Sequence, residues 1–174
     1  MAIYHLAVKS VSRSTGRSAV AAAAYRTGAC LENERDGLVH DYTRRGGVED
    51  AFIVAPEGAE WAQDRSALWN AAEAAEKRKD AKVAREYELG LPAELDAGQR
   101  RDLVRAFAED IRNRYGVAVD AAIHAPHDYG DDRNHHAHVM TTTRVAEADG
   151  LGAKTRQLDV RSTASVEVEA IRER

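Results

Sequence analysis

The sequence predicts an α+β domain: a central antiparallel sheet of about five strands with helices packed on it. Three observations carry this expectation. Short apolar or alternating runs bounded by Gly, Pro and Asp occur at Ala2 to Val8, Val48 to Val54, Lys82 to Pro92, Val117 to His124 and Val139 to Thr143, and runs of that kind read as strands. Stretches with helical periodicity and recognisable caps lie between them. The last two strand runs are joined across Gly130-Asp-Asp, a turn sequence that folds one strand back on the other. With 174 residues, 44% of them hydrophobic, the chain can bury one real core, so a single domain over residues 1–174 is expected.

Taken in order, Ala2 to Val8 is a buried strand and polar Ser10 to Gly16 its turn, with His5 a core histidine. Ser18 caps an alanine-dense helix over Ala19 to Leu31. Tyr25 stands in its middle, with only Ala21, Ala22, Gly28 and Ala29 at three and four residues' spacing. Spacing alone leaves two roles open, an anchor onto the sheet or a phenol that a bulky partner can approach. Asp36-Gly37 and Gly46-Gly47 bracket a ribbon, Leu38 to Arg45, whose Arg44 and Arg45 beside Tyr42 suit a phosphate backbone or a plain exposed turn. Glu57 to Lys79 is an amphipathic packing helix with Trp61, Leu68, Trp69 and Ala72 on its buried face. Along Lys82 to Pro92, Glu86 and Glu88 share one face while Tyr87 and Leu89 share the other. Asp96-Ala-Gly-Gln opens the next helix as a capping box, Leu103, Val104, Phe107, Ile111 and Tyr115 form its buried stripe, and Gly116 stops it. A loop follows Arg144, then Leu151 to Asp159, and Val166 to Arg174 reads as the first turns of a further helix.

Bulk composition narrows the setting. Cys30 is the single cysteine, and neither a signal peptide nor a membrane-length apolar run is visible, so a cytoplasmic protein with no membrane partner is expected. A net charge of −4 argues against indiscriminate nucleic-acid binding. The distribution says more: residues 1–47 hold seven Lys/Arg against four acids, so a basic face would be built largely from that part.

The chemistry concentrates in Ala122 to Arg144, which contains five of the seven histidines. His136 and His138 are two apart at the start of a strand and leave the same face of a sheet. The turn at Gly130-Asp-Asp brings back the preceding strand, so His124, His136 and His138 can meet at one point. His127 and His135 fit that geometry less well, although either could replace a ligand. Three neutral imidazoles with further positions open describe a catalytic metal centre better than a structural one, which would be closed by four protein ligands. Glu86 or Glu88 could accept hydrogen bonds from the distal ring nitrogens of bound histidines, or simply face solvent.

In combination, Ser18-Ala-Val-Ala-Ala-Ala-Ala-Tyr-Arg26, Val39-His-Asp-Tyr-Thr-Arg44, Ala84-Arg-Glu-Tyr-Glu-Leu-Gly-Leu-Pro92, Asn134-His-His-Ala-His-Val-Met-Thr-Thr-Thr-Arg144 and Lys154-Thr-Arg-Gln-Leu-Asp159 resemble the relaxases of the MobA/MobL group, including the N-terminal domain of TraA-type conjugation proteins. The resemblance implies an HUH-endonuclease (relaxase) like fold, and a nicking domain that forms the N-terminal part of a longer protein. It implies Tyr25 as the nucleophile that cuts one DNA strand at an origin of transfer and stays joined to the 5′-phosphate. It also implies His124, His136 and His138 as holders of one divalent ion, with Glu86 and Glu88 as supporting carboxylates. Mn2+ or Mg2+ is the expected ion on that basis, whereas imidazole ligands alone favour Zn2+ or Ni2+. Arg13, Arg17, Arg26, Arg44 and Arg45 are candidates for a basic groove along single-stranded DNA, with Lys154 and Arg156 covering the bound strand. Accessory mobilisation proteins and a type IV secretion coupling protein are the implied partners.

Two rival readings make different predictions. A metal-dependent phosphohydrolase that never forms a covalent intermediate would stay active as Tyr25→Phe. A non-catalytic DNA-binding domain with a structural metal would lose stability on chelation and never cut.

Overall fold

The computed structural model describes residues 6–159. In chain order the elements are β1 (Leu6–Ser12), α1 (Ala19–Thr27), β2 (Cys30–Asn33), β3 (Leu38–Asp41), β4 (Val48–Val54), α2 (Arg65–Ala74), β5 (Lys82–Gly90), α3 (Ala97–Tyr115), β6 (Val117–His124), β7 (His136–Glu147) and β8 (Gly150–Lys154). Five strands form a sheet in the order β1-β5-β7-β6-β4, with β8 paired to the far half of β7, and β2 and β3 form a separate ribbon. Every pairing in the main sheet is antiparallel. The α+β class and the central antiparallel sheet are therefore as the sequence predicts. Among the described residues no helix is long and apolar enough to cross a membrane.

Register decides what each face carries. Lys9, Glu86, Met140, Asp120 and Ile53 stand opposite one another across the five strands, as do Ala7, Glu88, His138, Ala122 and Ala51 in the next row. Directly opposed residues share a face, and their chain neighbours take the other. One face packs Met140 and Ile53 with Val20, Ala23 and Ala24 of α1 and Leu68 and Trp69 of α2. The other packs Phe52, Tyr87, Ala121 and Val139 against Val104, Phe107 and Ile111 of α3. The strand histidines thus lie on the α1/α2 side.

Polar ties fix both helices of that side. Asp120, buried in the middle of β6, receives two hydrogen bonds from Arg65 at 2.8 and 2.9 Å and one from the Trp69 indole at 2.9 Å. At the start of α1, Ser18 Oγ accepts from the Ala21 amide and Glu73 of α2 accepts from the Ala19 amide at 2.7 Å, so two of the otherwise open helix donors are satisfied. Asp96 and Gln99 form the reciprocal capping box expected for α3, and Gly116 closes it at φ 67°.

Several boundaries differ from expectation. β1 runs on through Ser12, pairing Val11 with Ala84, where a turn from Ser10 was expected. α1 stops at Thr27 because Gly28 adopts φ 67°, and Cys30–Asn33 leaves the predicted helix to pair with β3. The Glu57 to Lys79 helix is a short 3-10 turn, Glu60–Gln63, followed by α2, whose true cap is Asp64. Trp69 is core, whereas Trp61 is only partly buried, its indole donating to the Glu147 carbonyl. Leu103 is 45% exposed, because the buried stripe of α3 runs through Arg100, Val104, Phe107, Ala108 and Ile111. β7 continues past Arg144 to Glu147 and hairpins into β8 where a loop was expected. His5 and the Val166 to Arg174 helix lie outside the described residues.

Candidate metal centre and adjoining tyrosine

The two central strands bring three imidazoles together. His124 ends β6 directly opposite His136, which starts β7, and His138 follows on the same face. One ring nitrogen from each of His124, His136 and His138 lies within 4.8 Å of the others. Ring centroids are 4.7 Å apart for His124 and His138, 5.2 Å for His124 and His136, and 5.3 Å for His136 and His138.

Each ring spends one nitrogen on an acceptor. His138 Nδ1 donates to Glu86 Oε1 at 2.6 Å, His136 Nδ1 to the Asn134 carbonyl at 3.1 Å, and His124 Nε2 to the Arg26 carbonyl at 2.6 Å. A neutral imidazole has one donor and one acceptor nitrogen. These bonds therefore leave the lone pair on Nε2 of His136 and His138 and on Nδ1 of His124. Burial pushes the His124 pKa down to about 4, although its bond to the Arg26 carbonyl works the other way, and burial also lowers that of His136. The two rings are neutral near pH 7, the form that binds metal. The donor set fits a divalent cation with positions left open.

The carboxylates behind the histidines differ. Burial would raise the Glu86 pKa, but the His138 ring and the Arg26 guanidinium bring it down to about 2. Its second oxygen accepts from Arg26 Nη2 at 2.5 Å, which completes an Arg26–Glu86–His138 chain. Glu88 stands opposite His138 in the register, half-exposed, and pairs with Lys9 at 3.4 Å. A carboxylate oxygen from each of Glu86 and Glu88 and a ring nitrogen of His138 also lie within 4.8 Å of one another. Both Glu86 oxygens are already committed, so this second grouping supports the imidazoles and is not a centre of its own.

Tyr25 sits in the last turn and a half of α1, beside the residue whose carbonyl meets His124. Its side chain is not packed into the core: the residue is 46% exposed. Tyr42 lies edge-on to the ring at 5.2 Å, and the Arg45 guanidinium covers its face at 3.7 Å. The remaining sequence candidates spread out. His127 is exposed, its ring 6.5 Å from that of His136, and His135 turns to Glu49 at 3.6 Å, so neither joins the three.

Arg13 is a correction to the expected groove. It is buried, and its donors go to the Glu73 carboxylate and to the carbonyls of Glu73, Glu76 and Arg78, leaving nothing for a phosphate. Arg26 is turned to Glu86 and the Ala22 carbonyl. Arg17, Arg44 and Arg156 are exposed, and exposed Lys154 pairs with Glu76 at 3.0 Å. Two features escaped sequence reasoning: the backbone contact between Arg26 and His124, and Tyr42 as a ring partner of Tyr25. The turn residues around Arg45 were the only signal for the latter.

An antiparallel sheet with three imidazoles on its two central strands that could hold a metal ion, and an accessible tyrosine on the helix laid against them, is a candidate metal-and-tyrosine site. Sequence comparison is more specific: residues 17–174 match the profile of the MobA/MobL family, and the chain belongs to that family. Mobilization protein MobL of Acidithiobacillus ferridurans is 44% identical over 181 residues, covering 91% of this chain and 47% of that protein. Conjugal transfer protein TraA of Rhizobium radiobacter is 39% identical over 165 residues, covering 88% of this chain and 14% of that protein. The chain thus spans about half the length of the first relative and about a seventh of the second. A chain solved in work on the molecular basis of vancomycin resistance transfer in Staphylococcus aureus shares the fold at a TM-score of 0.85 and 28% identity, covering 98% of this chain and 89% of that one.

Proposed function

We propose that this chain is the nicking domain of a plasmid mobilisation relaxase, the N-terminal part of a longer protein acting in the bacterial cytoplasm. Its substrate is single-stranded DNA at an origin of transfer, and accessory mobilisation proteins and a type IV secretion coupling protein are its partners. The observation that carries this is the junction at Arg26: its carbonyl holds His124 of the imidazole cluster while the preceding residue presents an exposed phenol.

His124, His136 and His138 would hold one divalent ion, Mn2+ or Mg2+ by family resemblance and Zn2+ or Ni2+ by ligand chemistry alone. Such an ion supplies positive charge to the non-bridging oxygens of a scissile phosphate. The protein supplies the rest. Tyr25 Oη attacks phosphorus, the P–O3′ bond breaks, and the proton lost by the phenol is balanced by one taken up at the departing 3′-oxygen. A phosphotyrosyl bond keeps the phosphodiester's free energy, so a 3′-hydroxyl can reverse the step and reseal the strand. Glu86 fixes the tautomer of His138, Arg26 keeps Glu86 ionised, and Glu88 stands behind the same ring. Arg17, Arg44, Lys154 and Arg156 would track the DNA backbone.

The test is incubation with a labelled single-stranded origin oligonucleotide, with and without EDTA, followed by a denaturing gel. A protein-linked band that vanishes with EDTA and in Tyr25→Phe is expected. Cleavage that persists in Tyr25→Phe would instead establish the phosphohydrolase reading. Chelation that lowers thermal stability, with no cleavage under any condition, would establish the DNA-binding one.

A further inference from the structure

A nine-residue helix ends with open carbonyls, and at α1 two of them are claimed by other parts of the fold. The Ala24 oxygen takes the amides of Gly28 and Ala29. The Arg26 oxygen takes His124, and the Tyr25 oxygen takes Arg45 Nη1 at 2.5 Å. Arg45 therefore grips Tyr25 twice, Nη1 on the backbone oxygen and the guanidinium carbon over the ring face at 3.7 Å. A planar guanidinium can do both at once, and the end of a helix favours a cation.

The grip is itself held. Tyr42 donates its amide to the Ala29 carbonyl at 3.0 Å, and Arg45 donates its own amide to the Tyr42 carbonyl at 3.0 Å, which pins the turn after β3 to the end of α1. The Tyr42 ring then stands against the Tyr25 ring at 89°. An exposed helical tyrosine would otherwise exchange between rotamers. Here the ring has a guanidinium on one face and a second aromatic ring against it before any substrate arrives.

We propose that Arg45, seated by Tyr42, is the positioning residue of the Tyr25 nucleophile and is not a groove arginine. The role rests on the nicking reading. Its consequence is kinetic: loss of the grip lets the phenol wander from the line of attack, and a misplacement of about 1 Å can cost on the order of a hundredfold in rate.

The experiment compares wild type, Arg45→Gln, Arg45→Lys and Tyr25→Phe as the same full chain, with thermal melts confirming folding. Single-turnover formation of the protein–oligonucleotide adduct is measured at saturating protein, and oligonucleotide affinity and its salt slope by anisotropy. A fluorine label on the Tyr25 ring (3-fluorotyrosine) reports the ring's surroundings without DNA. Arg45→Gln is expected to slow adduct formation at saturation about tenfold or more, to leave the salt slope unchanged, and to shift the fluorine resonance. Arg45→Lys keeps the charge but not the plane, and is expected to behave like Arg45→Gln. A saturated rate equal to wild type with a weakened, flatter salt dependence would overturn the positioning role and return Arg45 to the groove. Full rescue by lysine would also overturn it. No adduct from wild type would end the nicking reading and this role together, whereas a wild-type adduct undiminished in Arg45→Gln ends this role alone.

Discussion

Replacing Glu86 with glutamine removes one charge from the chain that runs from Arg26 to His138 and leaves its shape almost intact. The amide oxygen can still accept from His138 Nδ1, now at 2.6 Å from the carboxylate, but it no longer polarises the ring or neutralises Arg26. Loss of such a supporting partner typically lowers metal affinity 10- to 100-fold, and an amide that keeps the hydrogen bond belongs at the lower end, about tenfold. At a free ion concentration one hundred times the wild-type Kd, binding stabilises the fold by about 2.7 kcal/mol, and a tenfold weaker site retains about 1.4 kcal/mol. For a chain of this size each kcal/mol moves Tm by about 2–4 °C, so the metal-induced rise should be smaller in the variant by roughly 3–5 °C. The assay is a pair of melts per protein, with chelator and with Mn2+ or Zn2+, and needs no DNA. Equal metal-induced rises in wild type and Glu86→Gln would refute the claim that this carboxylate tunes the histidines.

Acid should destabilise the metal-free protein through His124. Its folded pKa of about 4 lies below the ordinary 6.5, so the unfolded state binds more protons between those values. The stability is fully present above pH 6.5 and lost as pH falls towards 4, by about 3 kcal/mol at most. Urea midpoints from pH 7.5 to 4.5 should fall more steeply for wild type than for His124→Gln, and parallel curves would contradict it. Asp120→Ala should cost about 3–5 kcal/mol in urea unfolding, since it leaves the Arg65 guanidinium and the buried Trp69 indole without their shared acceptor. A loss under 1 kcal/mol would mean that the pair is dispensable.

Much of this was legible in the sequence for identifiable reasons. Strands announced themselves where alternation was undiluted, and α3 where Asp96, Gln99 and Gly116 supplied both caps. The three imidazoles were legible because an i, i+2 pair on a strand and a turn of known sense leave little geometric freedom. What failed depended on partners distant in the chain. Ala29 to Leu31 continued an apolar pattern that only the conformation of Gly28 and the pairing of β2 with β3 interrupt. Arg13 looked like a surface cation until Glu73, sixty positions away, took it inside. Arg45 looked like a DNA contact because nothing local says that its plane will lie on an aromatic ring.

One link between the helix and the histidine hairpin runs through a peptide oxygen, that of Arg26, beside the side-chain link from its guanidinium through Glu86 to His138. Every amino acid offers that oxygen. Mutational drift at position 26 could therefore erase the guanidinium and its tie to Glu86 and still keep the contact between α1 and His124. Breaking that contact from the helix side would require a change in the path of the backbone itself, such as an inserted residue or a different helix terminus.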